Sequence, residues 1–505
     1  MLNDKPKMNF PLTEYLSARN VGLACFIIVS LFNFSCLFNP TYWDDILGLH
    51  NQALFLAGNQ FNIAKLWEQQ GYLAGGSNVY PLGIIPFFYG ILYSIFKPEY
   101  VHLTGHLFNI ACLSVAFTLF FLILRKYVSP WNALLWCIAA LCEPVMAGRT
   151  AELGQESPLI ALAAAAIYCI ALQRIRTGLI FILLASLVKP TAGLLAFAAV
   201  AWLFAGGIIP PRFFRERFFK GKWLQYFACS IAAGLMVVGI SILTGDAYKS
   251  LPSLSSLLVR GEFIFSKLLP VQAIFLAGVI VAAGAALVRL KTKKVFWKDW
   301  FSLYLLIFIA GFWLVFIFYP VPLPRYTGLA VFPVCAFLAL NIRRRYCNAL
   351  AAGLAVLLGI AAMDGLFYPA LQPLSSRSGE YLERSREYIT DLRSNVAFCR
   401  VLEKDAFLNP IVAKWPFVQM LTMPELGYVT NPAPDVYAVG TLPKYTSAKL
   451  FTGFQNMPEN TLYIYAFNSF EAWSKFGPSL QPRPSDQIVV SDDTLGGLLL
   501  VYRRK

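Results

Sequence analysis

Residues Phe301–Tyr319 read FSLYLLIFIAGFWLVFIFY, a run of 19 residues without a charged side chain. Val21–Phe38 and Leu268–Val288 are further runs, of 18 and 21 residues, that are also free of charge. A helix needs about 20 apolar residues to cross roughly 30 Å of hydrocarbon. These runs therefore predict a polytopic α-helical membrane protein.

The composition of the whole chain agrees with this prediction. Of its 505 residues, 58% are hydrophobic and 14% are charged, and the mean hydropathy is +0.59. An ordinary soluble domain is about 45–50% apolar and about 25% charged. The first apolar run lacks a small-residue cleavage site and is followed by the bulky segment Asn39–Trp43, so we interpret it as a retained helix rather than a signal peptide.

The apolar runs predict about eleven spanning helices and one long outer loop, residues 39–100. Within that loop, residues 46–70 have the apolar spacing of helices that lie in the membrane interface. Residues 82–96 are interpreted as a juxtamembrane or re-entrant segment. The predicted spans cover residues 21–38, 101–124, 131–147, 157–173, 177–189, 190–205, 224–244, 268–288, 301–319, 326–342 and 347–366.

Basic residues set the orientation of these spans. The chain carries 42 basic and 27 acidic residues, a net charge of +15, and 28 of the basic residues precede residue 369. Loops on one side receive 20 of those 28, which makes that side cytoplasmic by the positive-inside rule. The C-terminal tail is then outside, in the periplasm if the membrane is a bacterial inner membrane, our preferred location over the endoplasmic reticulum. An excess of basic residues in the cytoplasmic loops is usual for membrane proteins, so it does not indicate a nucleic-acid partner.

The tail from residue 369 is nearly neutral, with 14 basic and 13 acidic residues. It contains one charged amphipathic stretch, Glu380–Leu402, and four short β-like runs separated by Pro, Gly and Asn. We therefore predict two domains, a membrane domain of residues 1–368 and a small soluble α/β domain of residues 369–505. The β-like runs are Pro410–Ala413, Thr461–Ala466, Gln487–Val490 and Leu498–Tyr502.

Acidic residues gather on the outer side of this topology. Asp44 and Asp45 follow the first span, where they could act as a general base and its orienting partner, or as a helix N-cap. Glu152 and Glu156 are four residues apart and share a face if their stretch is helical. They could hold a polar head group or an ion, or cap the next span, which begins at Ser157-Pro158.

Two cations lie on the same predicted side. Lys189 interrupts an apolar stretch directly before Pro190, where it could bind phosphate or extend to the lipid head groups. Arg325 and Tyr326 follow the Pro-rich segment 320–324, so Arg325 could bind phosphate or anchor the chain at the interface. Near one surface, the two cations could bind a phosphorylated lipid, and the two acidic groups could remove a proton from an acceptor.

Other kinds of site receive little support. His102 and His106 are spaced i, i+4, but their place at the start of a span favours packing over metal binding. Nine of the ten cysteines lie in or beside apolar runs, only Cys399 lies in the tail, and no C-x-x-C pair indicates structural zinc. The chain has no Walker A loop and no G-x-S-x-G motif, so no nucleotide site is predicted.

The order of these motifs resembles the C-type superfamily of membrane glycosyltransferases, especially the family of protein O-mannosyltransferases and lipid A aminoarabinose transferases. Pro424–Gly427 and Trp415-Pro416-Phe417 in the tail are similar to bacterial relatives that have an outer domain. The motifs that carry the resemblance are, in chain order, Trp43-Asp44-Asp45, Tyr80-Pro81-Leu82, Glu152 to Glu156-Ser157-Pro158, Leu183 to Lys189-Pro190, and Pro324-Arg325-Tyr326.

The resemblance implies a hexosyl- or pentosyltransferase whose donor is a sugar on a polyprenyl phosphate and whose acceptor is a glycan, lipid or protein of the cell envelope. Asp44 or Asp45 would be the base, and Lys189 and Arg325 would steady the donor phosphate. The family's usual pair is Asp-Glu, so the catalytic carboxylate stays open between the two aspartates. The need for a divalent metal also stays open. A transporter or flippase of an anionic or lipid-linked substrate is the alternative, and a ligase of lipid-linked polysaccharide would share the donor class.

Overall fold

The computed structural model describes residues 17–41, 46–68, 84–208, 222–243, 279–280, 283–284, 297–318, 327–342, 344–363, 388–440, 447–467, 480–494 and 497–504. Its first part is a helical bundle, and its last part is a mixed sheet with helices. The bundle helices, in chain order, are α1 (Ala18–Phe32), α2 (Asn51–Gly58), α3 (Ile63–Glu68), α4 (Ile84–Ile95), α5 (Pro98–Arg125), α6 (Pro130–Cys142), α7 (Pro144–Arg149), α8 (Glu156–Ala171), α9 (Ile175–Val188), α10 (Gly193–Ile208), α11 (Trp223–Leu243), α12 (Trp297–Phe318), α13 (Gly328–Asn341) and α14 (Arg344–Met363).

The outer surface of the bundle is apolar. On α1, Leu23, Ile28 and Leu31 are each more than half exposed, and α11 exposes Leu224 and Leu235 in the same way. Helix faces with so many exposed apolar side chains are unfavourable in water, and they are expected where a helix contacts the lipid of a membrane. Among the described residues, Pro98–Arg125 and Lys298–Phe316 are long and apolar enough to cross a bilayer, and several other apolar helices are shorter. The predicted number of about eleven spans stays a prediction, and most of the predicted span 268–288 lies outside the described residues.

One predicted span, 131–147, was wrong as a single helix. α6 ends at Cys142 and α7 starts at Pro144, because the residue before a proline is disfavoured in the α conformation. Glu143 accordingly has φ −59° and ψ 132°, and its carboxylate accepts a hydrogen bond from the backbone N–H of Met146 at 3.1 Å. The chain therefore bends at Glu143 and carries Arg149 to the end of a separate short helix.

The first outer loop contains the short helices that the sequence predicts for residues 46–70. A π-helical turn, Ile46–His50, leads into α2, and α3 follows. α4 packs closely against α2, since a Cβ on Gly90 would lie 2.9 Å from the carbonyl oxygen of Ala53. The 12 residues of α4 cover about 18 Å, less than the hydrocarbon thickness. This length agrees with a juxtamembrane or re-entrant segment.

Within the described residues, the C-terminal sheet has six strands in the order β3-β2-β1-β4-β6-β5. β1 pairs in parallel with β2 and β4, β2 pairs in parallel with β3, and β6 runs antiparallel to β4 and β5. The strands are β1 (Ile411–Ala413), β2 (Val436–Ala438), β3 (Lys449–Leu450), β4 (Leu462–Phe467), β5 (Gln487–Thr494) and β6 (Gly497–Arg503), and the helices are α15 (Tyr388–Asp405) and α16 (Phe417–Thr422).

Alternating residues divide this sheet into two buried faces, as the two-residue period of a strand requires. Ile411 and Ile464 pack with Leu392 and Phe398 of α15, whereas Val412 and Tyr463 pack on the opposite face. All four predicted β runs are strands, and the predicted helix is present as α15, although residues 380–387 lie outside the described residues. The mixed α/β prediction for the tail is therefore confirmed.

Candidate functional site

Two ionisable side chains from neighbouring helices meet at one end of the bundle. Lys189 Nζ donates a hydrogen bond to Glu156 Oε1 at 2.9 Å, across 33 residues of sequence. The Lys189 side chain is 15% exposed and the Glu156 side chain is 10% exposed. Glu156 is the first residue of α8 and Lys189 directly follows α9, so the pair joins the start of one helix to the end of the next.

Pro190 explains why the lysine occupies this position. The residue before a proline is disfavoured in the α conformation, and Lys189 has φ −152° and ψ 127°. α9 therefore ends at Val188, and the chain resumes in a short 3-10 turn, Pro190–Ala192, before α10. The extended backbone places the lysine at the break between two helices, where its ammonium group contacts Glu156. The predicted boundary near Pro190 is confirmed.

A second ion pair lies just before α8 in the chain. The guanidinium group of Arg149, the last residue of α7, contacts the carboxylate of Glu152, and the arginine is 1% exposed. A buried charge is strongly unfavourable without a partner of opposite sign. Glu152 therefore neutralises Arg149 inside the protein. Glu152 precedes α8, so the two glutamates do not share one helical face.

Side chains from three distant elements contact residues 150–154, the segment that carries Glu152 and leads to Glu156. Asn109 of α5 donates its amide N–H to the carbonyl oxygens of Glu152 at 2.7 Å and Gly154 at 3.1 Å. Asn33, at the end of α1, donates to the Thr150 hydroxyl at 3.0 Å. His50 of the first outer loop lies 3.4 Å from the Leu153 carbonyl oxygen. The turn that carries Glu152 and Glu156 is thus fixed by side chains from three parts of the chain.

His50 is neutral in this arrangement. Its pKa is lowered to about 3, mainly by burial and to a smaller degree by the nearby His106, although the contact with the Leu153 carbonyl acts in the opposite direction. Its other ring nitrogen, Nδ1, lies 2.8 Å from the Tyr93 hydroxyl. The imidazole therefore carries no charge at physiological pH, and each of its two nitrogens contacts a hydrogen-bonding partner, so the ring helps to orient Tyr93 and Leu153.

The structure brings together two of the candidates from the sequence, Glu156 and Lys189. A third, Glu152, pairs with Arg149 instead. Asp44, Asp45, Arg325 and Tyr326 lie outside the described residues. The chain on either side of the aspartates is described: Thr41 is buried, and Ile46 belongs to the same apolar cluster as Ala151. The first outer loop therefore approaches the turn that carries Glu152.

Sequence reasoning assigned no role in this polar region to Arg149, Asn109 or His50. Asn109 is one of several polar residues within the largely apolar helix α5, a pattern that is also typical of packing, so its partners could not be predicted. His106 Nε2–H donates a hydrogen bond to the Asn39 carbonyl oxygen at 3.1 Å, and the part of the chain that is described contains no group of three metal-ligating side chains. The contact of His106 with the Asn39 backbone is consistent with the packing role that the sequence predicts for it.

No family model matches the chain, and no curated protein matches it. Among solved structures, the chain is similar to ArnT from Cupriavidus metallidurans in the apo state, with 13% identity and a TM-score of 0.47. The match covers 96% of this chain and 98% of that chain. ArnT is a lipid A aminoarabinose transferase, one of the enzymes that the sequence motifs resemble. At this identity and TM-score the likeness decides neither fold nor activity, which depend on the residues described above.

Proposed function

We propose that the protein is a membrane glycosyltransferase that moves a sugar from a polyprenyl-phosphate donor to a glycan, lipid or protein of the cell envelope. The reaction takes place on the extracytoplasmic side of the membrane domain, residues 1–368, and residues 369–505 form an extracytoplasmic domain. The observation that carries the proposal is the ion pair of Lys189 and Glu156, which holds an ammonium group at a helix break within a buried polar region.

The ion pair suits a phosphate that gains charge during the reaction. When the glycosidic bond to the donor breaks, the lipid phosphate leaves with its negative charge increased. A cation that is already fixed beside that phosphate stabilises the transition state more than the ground state. Glu156 orients the Lys189 ammonium group until the donor phosphate provides a second anion.

The remaining candidates complete the chemistry in this proposal. Asp44 or Asp45 accepts the proton of the acceptor hydroxyl, as a general base must. Arg325 and Tyr326 steady the donor phosphate from a second direction. Arg149 and Glu152 neutralise each other and, together with Asn109, keep the turn before Glu156 in place. A soluble nucleotide sugar is not needed, because the lipid carries the sugar to the site.

One observation favours the alternative of a transporter or flippase. Transporters also form their substrate sites at breaks between helices, and the pair of Lys189 with Glu156 lies at such a break. The two functions differ in their product. A transferase changes the acceptor covalently and releases polyprenyl phosphate, whereas a transporter moves an intact substrate across the membrane.

The test uses the full-length protein in lipid nanodiscs with a synthetic polyprenyl-phosphate sugar and an envelope fraction as acceptor. We expect sugar transfer by the wild type, and a loss of about 100-fold or more in Asp44→Asn or Asp45→Asn.

Lys189→Met is compared with Lys126→Met, since Lys126 is exposed and follows α5 on the predicted cytoplasmic side. Full transfer by both aspartate variants contradicts the assigned base, and movement of intact substrate across vesicles without covalent change favours the transporter.

A further inference from the structure

The segment Asn39-Pro40-Thr41, which precedes the aspartate pair, is held from two sides. On one side, His106 Nε2 of α5 lies 3.1 Å from the Asn39 carbonyl oxygen. On the other, the Tyr428 hydroxyl of the C-terminal domain donates a hydrogen bond to the Thr41 carbonyl oxygen at 2.7 Å. Thr41 and Tyr428 are both buried, so neither end of this bond is open to water.

The turn before Tyr428 fits closely against the same region. Gly427 has φ +87°, a left-handed conformation that favours glycine, at the end of the 3-10 turn Pro424–Leu426. A Cβ at this position would lie 2.6 Å from Cε1 of His102 and 3.5 Å from Cβ of Pro40. Only a residue without a side chain allows the turn to approach α5 and Pro40 this closely.

Two further contacts extend the interface. Arg393 of α15 donates through Nη2 to the Ser35 carbonyl oxygen at 3.2 Å and to the Ser35 hydroxyl at 3.0 Å. Cys36 and Ile46 are buried in the same apolar cluster as the inner face of the C-terminal sheet. The chain on both sides of the aspartates therefore packs against the C-terminal domain, through hydrogen bonds before them and through an apolar core after them.

We infer that the C-terminal domain positions the aspartate pair, and that Tyr428 is a positioning residue for the transfer reaction. The inference rests on the proposed function, since it assumes that Asp44 or Asp45 is the base. Thr41 is three residues before Asp44 in the sequence, so the bond to its carbonyl group holds the segment that leads into the aspartate pair. A catalytic group must be held within a fraction of an ångström of its working position, because small displacements greatly reduce the rate.

The test compares Tyr428→Phe with Tyr502→Phe in the full-length protein. Tyr502 is an equally buried tyrosine of the same domain whose hydroxyl donates to the Leu480 carbonyl oxygen at 2.6 Å, away from the membrane domain. Hydrogen–deuterium exchange of peptides covering residues 36–50 measures how firmly the segment is held. Steady-state kinetics measure kcat and the KM for the lipid-linked donor.

We expect Tyr428→Phe to speed exchange in residues 36–50 and to lower kcat about 10- to 100-fold, with the donor KM changed by less than about twofold. Tyr502→Phe should change neither the exchange nor the kinetics. Gly427→Ala should have the same effects as Tyr428→Phe or larger ones, in contrast to Gly453→Ala, which alters another glycine of positive φ, 147°, in the same domain.

The outcomes separate this inference from the proposed function. Unchanged exchange in Tyr428→Phe overturns the inference, whatever the kinetics. Faster exchange with an unchanged kcat overturns the positioning role. If the wild type transfers no sugar, the proposed function fails, and faster exchange in Tyr428→Phe alone still supports the conclusion that the C-terminal domain holds the first outer loop.

Discussion

Lys189 and Glu156 form an ion pair at 2.9 Å that links the start of α8 to the end of α9. Both side chains are largely shielded from solvent, so removing one partner leaves an uncompensated charge. This relationship joins the two motifs that sequence analysis assigns to separate roles, an acidic site and a phosphate-binding cation.

Lys189→Met should therefore destabilise the protein, by about 3 kcal/mol, because Glu156 is left without its cation. The double variant Glu156→Gln/Lys189→Met should recover much of that stability, since neither charge remains, but it should not recover sugar transfer. Thermal unfolding in detergent and the transfer assay measure the two effects on the same preparations. Recovery of transfer in the double variant would show that the lysine has only a structural role.

The Arg149–Glu152 pair should behave differently. Because Arg149 is almost fully buried, Arg149→Met should leave Glu152 unpaired and cost about 3–5 kcal/mol. We expect poor expression and a lowered melting temperature, with the transfer rate per folded molecule reduced less than in Lys189→Met. A folded Arg149→Met protein of normal stability would contradict the burial of this pair.

Asn109 should stabilise the turn before α8 through its two hydrogen bonds to carbonyl groups. Asn109→Leu leaves both buried acceptors without that donor, which should cost about 2 kcal/mol. Ser114→Ala is the matched control on the same helix, because the Ser114 hydroxyl donates to the Ile110 carbonyl oxygen one turn earlier and does not contact the turn before α8. Equal melting temperatures for the two variants would show that Asn109 does not hold the turn.

Glu403 should make the C-terminal domain sensitive to acid. Burial favours the neutral carboxyl, but the backbone N–H groups of Thr430 and Asn431 and the guanidinium of Arg400 outweigh it, so the pKa of Glu403 is lowered. A lowered pKa contributes stability that is present above the unfolded-state value, near 4.5, and is lost as pH falls through the folded-state value.

Between pH 7 and pH 3, we therefore expect the wild type to lose more stability than Glu403→Gln, which has no charge to protonate. Glu459→Gln, a change at an exposed glutamate of the same domain, should follow the wild type. The free energy of unfolding of the full-length protein, measured against pH in detergent, checks both expectations. Parallel curves for all three proteins would contradict the role of Glu403.

Several features could be predicted from the sequence because the signal is local. Lys189 is recognisable as a charge within an apolar run, and Pro190 predicts the end of α9. The strands β4, β5 and β6 have enough alternating or apolar residues to be detected. In each case the physical cause lies within a few residues of its effect.

Other features depend on contacts between distant residues or on very short elements. β2 has three residues and β3 has two, which is too few to show a periodic pattern. β2 is a strand because it pairs in parallel with β1, and β3 is a strand because it pairs in parallel with β2. The partners of Asn109 lie more than 40 residues away, and Tyr428 reaches across 387 residues to Thr41. The break at Glu143 was missed although Pro144 marks it, because the surrounding residues are apolar.

The most direct test of the account is to measure, by mass spectrometry, the release of polyprenyl phosphate by the purified protein given a polyprenyl-phosphate sugar and an envelope acceptor. The account predicts one polyprenyl phosphate released for each sugar gained by the acceptor, with both products lost in Lys189→Met and retained in Lys126→Met. An acceptor of unchanged mass and a donor that stays intact would contradict it.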